Sequence, residues 1–280
     1  MVPRPRDPRD RYVVILSRPE SVENIGLVAR AMKNTGFRSL RVVGRSPVEI
    51  ACPRTAVHAK EILREASFYS DLRSATADLN VVFASSARVR QNFATLRFDE
   101  AISRMSDFPA AAKIGLLFGN ERTGLTSAEL AASNFRYVIP QASRQPSYNL
   151  AAAVLLTLFE IFRRLILKSA GKAETGPMPQ GPILATSGGE DDIESPAFPG
   201  KSGVSPLPLS RREQEECIRL IIRKLEDGGF IHATNRRHTT ERLFDLLGRL
   251  AMTDGDRRLL LAMFSGVGKS GLGMPSGGKA

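Results

Sequence analysis

Residues 114–168 carry the pattern that most restricts what this chain can become. Two short apolar runs, at 114–118 and 135–139, each break into a loop rich in Gly, Ser, Asn or Pro. Each loop then leads into a helical pattern, the second being a long apolar helix over 150–168, with Leu150, Val154, Leu158, Phe162 and Leu165 on one side. Strands joined through helices must run parallel. In a parallel sheet the loops beyond the carboxyl ends of the strands line a crevice that takes ligands. Two such loops close together in sequence predict one shared pocket.

The N-terminal part repeats the theme. Residues 12–16 read as a buried strand, 24–35 as a helix with Ile25, Val28, Ala29 and Met32 on one face and Gly36 as its stop, and 40–43 as a second strand. Helical pieces are predicted at 56–66 and 71–77, a strand at 79–84 ending in Ser85-Ser86-Ala87-Arg88, and a helix at 99–105. Thr126 and Glu129 form a capping-box pattern. The expected fold class is α/β with a mostly parallel sheet, over a domain at 11–168 preceded by a loose Pro- and Arg-rich arm at 1–10. Gly, Pro and Ser dominate 169–209, which reads as a flexible linker. Helical spacing returns with the Ser210/Glu213 capping box and Ile218, Ile221, Ile222 and Leu225, then at 240–250 and 254–264. That predicts a small all-α domain at 210–264 and a disordered tail at 265–280.

Charge points to a partner. With 40 Lys and Arg against 29 acidic residues, the chain has a formal charge of +11 and a pI near 10.2. Such a surface suits a polyanion, nucleic acid first, the plainer alternative being a basic surface that binds nothing. Cys52 and Cys217 show no C-x-x-C spacing, so no metal site is expected and the thiols read as reduced. No apolar run approaches the ~20 residues of a membrane span, and the N-terminus has no apolar signal core, so a cytoplasmic protein is expected. Neither G-x-G-x-x-G nor G-x-x-x-x-G-K-[ST] occurs, which disfavours dehydrogenases and P-loop NTPases. His58, His232 and His238 lie outside the strand-end loops, and no nucleophile elbow is present.

Three polar loops follow predicted strands, at 84–88, 119–125 and 140–149. Gly119 and Gly124 permit close backbone approach, Ser85, Ser86, Ser147 and Asn149 offer hydrogen-bonding groups, and Ile139 gives an apolar wall. The mixture suits a purine-bearing ligand. On the plainer reading the glycines only make turns, and Ser147 or Asn149 only caps the long helix.

Three motifs in order then resemble the SpoU-type RNA methyltransferases. Residues 23–36, ENIGLVARAMKNTG, are similar to the first motif, N-x-G-x-x-x-R. Residues 118–125, FGNERTGL, are similar to the second, and 147–151, SYNLA, to the third. The helical tail further resembles the TrmJ branch, which methylates a ribose 2′-hydroxyl in the tRNA anticodon loop. The resemblance implies a SPOUT fold with a C-terminal trefoil knot, S-adenosylmethionine as methyl donor, and a homodimer packed through the knot. By motif, the cofactor contacts are Ser85, Ser86, Ala87, Gly119, Ile139, Pro146, Ser147 and Tyr148, and the catalytic group is Asn24, Arg30, Glu121, Ser147 and Asn149.

The expected reaction is 2′-O-methylation of tRNA, at nucleotide 32, with methylation of ribosomal RNA and a non-catalytic RNA-binding protein as alternatives. A guanidinium stays protonated, so Arg30 is expected to stabilise a developing alkoxide and anchor a phosphate rather than act as a literal base. Arg223, Lys224, Arg236, Arg237 and Arg242 are expected to help hold the RNA. Two positions depart from the family pattern. Tyr148 stands where Leu is usual, and 141–145 lacks the Asn-Pro of many relatives.

Overall fold

The computed structural model describes residues 7–47, 54–86, 95–142, 147–170 and 206–265. β1 (Tyr12–Ser17) is buried along its whole length, as an apolar β-branched run in a two-sided parallel sheet must be. Ser21 caps α1 (Val22–Thr35) by accepting the Asn24 N–H, and Gly36 ends it at φ 78°. That conformation is open to glycine at little cost. β2 (Ser39–Val43) completes the first β-α-β unit.

A 3-10 turn at Arg54–Ala56 follows, then α2 (Lys60–Arg64), β3 (Ser67–Tyr69), α3 (Leu72–Thr76) and β4 (Val81–Ser85). β5 (Leu96–Arg97), α4 (Phe98–Asp107), β6 (Ile114–Phe118), α5 (Ser127–Ala131), β7 (Phe135–Val138) and α6 (Leu150–Ala170) complete the sheet and its helices. The seven strands run in the order β3-β2-β1-β6-β4-β7-β5, and every pair is parallel. The ends of β4, β6 and β7 therefore lie side by side, as the sequence pattern requires.

Several expectations need correction. β3 and β5 were not foreseen, because elements of three and two residues are too short to show alternation. The helical piece expected at 56–66 is split into the 3-10 turn and α2. Residues 7–10 do not behave as a loose arm, since Arg9 pairs with Asp7 and reaches the Thr35 carbonyl at 3.5 Å. The end of the expected linker is packed as well: Leu209 is buried and the Pro208 carbonyl accepts the Asn80 amide at 2.6 Å. Residues 171–205 and 266–280 lie outside the described residues.

Downstream run α7 (Arg211–Asp227), α8 (Arg236–Gly248, four residues earlier than the spacing suggested) and α9 (Asp254–Ser265). Ser210 makes its capping box with Glu213. These helices enclose a core of their own around Ile218, Ile221, Ile222 and Leu225. They also dock on the sheet domain, because the N–H groups of Arg211 and Arg212 donate to the Leu79 and Ala77 carbonyls at 2.7 and 3.0 Å. No helix among the described residues is long and apolar enough to cross a membrane.

Below the sheet, Asp78 accepts both guanidinium nitrogens of Arg41 and the Lys113 ammonium. Arg41 lowers its pKa most, partial burial opposes, and Lys113 adds to the lowering, so the carboxyl sits far below its usual range. A carboxylate with a depressed folded pKa contributes stability above its unfolded value, and loses it as pH falls. The thermal midpoint should therefore drop as pH is taken below about 4. Asp78→Asn should be destabilised near neutral pH yet show a shallower acid decline; parallel melting curves across pH would count against the pairing.

Candidate active site

The loop after β6 is shaped by its glycines and by Asn120. A Cβ on Gly119 would lie 2.4 Å from the Gly124 carbonyl carbon and 2.5 Å from the Leu125 nitrogen. Only glycine fits there, and Gly124 turns the chain at φ +66°. The Asn120 side-chain oxygen accepts the N–H groups of Arg122 and Thr123, both at 3.0 Å. Its amide donates to the Arg18 carbonyl at 2.8 Å and to a Glu20 carboxylate oxygen at 3.1 Å. Asn120 thus ties this loop to the segment after β1. It was not singled out in the sequence, although an Asn bonding to backbone two residues on is a recognisable turn signal.

Glu121 extends the tie. Its carboxylate accepts the Glu20 N–H at 2.7 Å, the Ser21 N–H at 3.1 Å and the Asn24 amide at 2.9 Å. Partial burial opposes ionisation, but the Glu20 N–H, the Asn24 amide and the Ser21 N–H together hold the carboxyl below its usual range. Asn149 then donates to the Asn24 side-chain oxygen at 3.0 Å. The other end of Asn149 accepts the Ala151 N–H at 2.9 Å, capping α6. Both readings of Asn149 hold at once, since it caps the helix and joins the polar chain. Asn149, Asn24 and Glu121 form one hydrogen-bonded series drawn from three distant segments.

Beside this series lies a cleft of about 280 Å³ at the carboxyl ends of β4, β6 and β7. Its wall includes Ser85, Ser86, Gly119, Glu121, Ile139, Ser147, Tyr148 and Leu150. The Ser86 N–H donates to the Tyr137 carbonyl at 3.0 Å, fixing the end of β4 against β7. The Tyr148 hydroxyl donates to the Pro140 carbonyl at 2.8 Å, so its ring spans the mouth of the third loop. Ala87 and Pro146 lie outside the described residues.

Arg30 is not among the described residues lining this cleft. It is exposed on α1 and makes no hydrogen bond or ion pair among the described residues. Arg236, Arg237 and Arg242 are exposed on α8; Arg236 pairs with Glu226 at 2.8 Å and Arg237 with Glu241 at 3.1 Å. Among the described residues no cluster of His, Cys, Asp and Glu could hold a metal ion.

Residues 11–159 match the SpoU rRNA Methylase family. The chain belongs to that family. This SpoU methylase is 34% identical over 156 residues to the tRNA (cytidine-2'-O-)-methyltransferase TrmJ of Methanocaldococcus jannaschii, covering 55% of this chain and 68% of that protein. It is 30% identical over 269 residues to the tRNA (cytidine/uridine/adenosine-2'-O-)-methyltransferase TrmJ of Pseudomonas aeruginosa, covering 95% and 96% of the two chains. The crystal structure of TrmJ from Z. mobilis ZM4 superposes with a TM-score of 0.66 at 24% identity, covering 92% of this chain and 99% of that one. That likeness speaks for the fold. As a SpoU methylase the chain is a methyltransferase, and its methyl donor is S-adenosylmethionine.

Proposed function

We propose that this SpoU methylase transfers a methyl group from S-adenosylmethionine to a ribose 2′-hydroxyl of tRNA, at nucleotide 32 of the anticodon loop. The observation that carries the reading is the Asn149–Asn24–Glu121 series, which joins all three motif segments at the edge of the cleft. The choice of tRNA rests on the relatives named above, one of which matches nearly end to end.

The cleft fits the cofactor. Gly119 lets the loop after β6 close on itself beside the cleft, Ile139 and Leu150 give apolar walls for a purine, and Ser85, Ser86 and Ser147 stand on its wall. Tyr148 stands on the same wall, and Ala87 and Pro146 belong to the contact set by motif alone. When bound, the cofactor supplies an electrophilic methyl group on a sulfonium. Positioning the hydroxyl behind that methyl provides much of the acceleration. Asn24, Glu121, Ser147 and Asn149 hold the ribose and the third loop in place, and Arg30, already protonated, stabilises the oxygen as its proton passes to solvent water.

Exposed apolar side chains support a homodimer. Leu155, Leu156 and Phe159 on α6 and Leu27 on α1 are 37–52% exposed. Contiguous exposed apolar surface of this kind marks an interface. Arg30 stands one turn from Leu27 on the same exposed side of α1, so pairing through α1 and α6 brings it to the interface, where it can face the partner's cleft. Phe159→Glu should convert the dimer to a monomer in sedimentation and lower methyl transfer; a persisting dimer would remove α6 from the interface. In the sheet β7 lies between β4 and the earlier β5, an order that supports a C-terminal trefoil knot.

The C-terminal helices, with Arg223, Lys224, Arg236, Arg237 and Arg242, act as an extension that holds tRNA. Exposed ion pairs such as Arg236–Glu226 contribute roughly 0–1 kcal/mol to stability, so these arginines are available to phosphates. A cytoplasmic location accords with a tRNA substrate. The reading is tested with methyl-labelled S-adenosylmethionine and separate tRNA and rRNA transcripts. Label in tRNA supports it, whereas label in rRNA alone reassigns the substrate.

A further inference from the structure

We propose that Glu129 is a positioning residue for methyl transfer, acting through Arg18 to hold the turn after β1 that brings α1 and its Asn24 to Glu121; this rests on the function proposed above. The sequence marks Glu129 only as the partner of Thr126 in the capping box of α5, and that box forms. The carboxylate does more than close it. Its Oε2 accepts the Thr126 N–H at 2.7 Å, the Thr126 hydroxyl at 2.8 Å and Arg18 Nη2 at 2.8 Å. Its Oε1 accepts Arg18 Nε at 3.0 Å and the hydroxyl of Ser17, which is buried. Partial burial opposes ionisation, but the bonds from Ser17, Thr126 and Arg18 hold the carboxyl below its usual range, so it is charged near neutral pH.

What this carboxylate holds is a strained residue. Arg18 has φ +51° and precedes Pro19, two conditions that a side chain with a Cβ meets only when its surroundings impose them. Its N–H donates to the Val43 carbonyl at 2.9 Å, and its carbonyl accepts the Asn120 amide at 2.8 Å. Its guanidinium lies in a two-point fork on Glu129, which fixes direction as well as distance. From this turn the chain runs to the Glu20 and Ser21 N–H groups, both bonded to the Glu121 carboxylate. Ser21 then caps α1, the helix that carries Asn24. Arg45 grips the same segment, donating to the Pro19 and Glu20 carbonyls, both at 2.8 Å. An ion pair to a side chain as exposed as Arg18 adds little to global stability. Its effect is local, selecting one backbone conformation where reacting groups must be held to within about 0.5 Å. Glu129 is not among the described residues lining the cleft, so it acts on the Asn24–Glu121 pair without touching the cofactor's walls.

The test uses the full-length protein and Glu129→Gln, because glutamine also serves in a capping box. With its oxygen kept on Thr126, its NH₂ group faces Arg18 Nε and cannot accept, so the fork is broken while the cap survives. At saturating tRNA, kcat should fall about tenfold, with S-adenosylmethionine affinity within about twofold of the wild type and the thermal midpoint unchanged. Glycine takes a positive φ freely, so adding Arg18→Gly to Glu129→Gln should bring kcat back to within about threefold of the wild type. A residue that only caps α5 gives no such recovery, since the second change removes a further side chain. Wild-type kcat in Glu129→Gln would overturn the assignment, and so would a loss that the double variant does not recover. If the wild type labels tRNA and Glu129→Gln labels it at the same rate, the positioning role alone falls; if the wild type labels no tRNA, the function reading falls with it.

Discussion

Arg30→Ala should lower methyl transfer by roughly 10²–10³-fold, the effect of removing one group that stabilises a developing oxyanion. Affinity for S-adenosylmethionine should be largely retained, because Arg30 does not line the cleft among the described residues. The fold should also persist, as Arg30 is exposed and makes no hydrogen bond or ion pair among the described residues. This separation of effects is the informative part. A structural residue would lose activity and thermal stability together, and a cofactor ligand would lose affinity first. Arg30→Lys should remain severely impaired, since an ammonium keeps the charge but not the planar fork. Single-turnover methyl transfer, with cofactor binding by calorimetry, checks both halves, and full activity in Arg30→Ala would remove it from the reaction.

Gly119→Ala should have the second largest effect, by a different route. The added methyl would meet the backbone of Gly124 and Leu125 at 2.4–2.7 Å, and backbone cannot rotate away as a side chain can. The loop must therefore shift, and overpacking of this kind costs about 1–3 kcal/mol. Because Asn120 and Glu121 tie the same loop to the segment after β1, the displacement reaches the Asn24 series as well. Cofactor affinity should fall by about tenfold or more, a change of roughly 1.4 kcal/mol, together with a lower thermal midpoint. Gly248→Ala is the control, since nothing lies within 4 Å of a Cβ there. A Gly119→Ala protein with wild-type affinity and midpoint would contradict the cramped loop.

Much of this arrangement was legible from local pattern. β1 and β6 are six- and five-residue runs buried along their length, and α1 ends at the Gly36 the sequence marked, although Ser21 starts it two residues before the expected position 24. The capping boxes at Thr126 and Ser210 formed as their spacing indicated. At the start of α4 only half of such a box forms, the Arg97 N–H donating to the Glu100 carboxylate at 3.1 Å, because an Arg side chain has no acceptor to offer in return. β3 and β5 escaped notice because they are pairing events rather than patterned segments. The site itself was beyond local reading. Asn24 and Glu121 are 97 residues apart and Asn24 and Asn149 are 125 apart, so only the motif resemblance grouped them. Docking of α7 was equally invisible, since it runs through backbone N–H groups that carry no sequence signature.

The central claim is methylation of a ribose hydroxyl in tRNA, and alkaline hydrolysis of the product tests it most directly. Base cleaves RNA through attack by the 2′-hydroxyl, so a methylated ribose leaves a gap in the ladder at its own position. End-labelled tRNA treated with this protein and S-adenosylmethionine should show one gap, after nucleotide 32, that is absent with Arg30→Ala. An unbroken ladder from tRNA that has nonetheless taken up labelled methyl would place the methyl on a base and contradict the account.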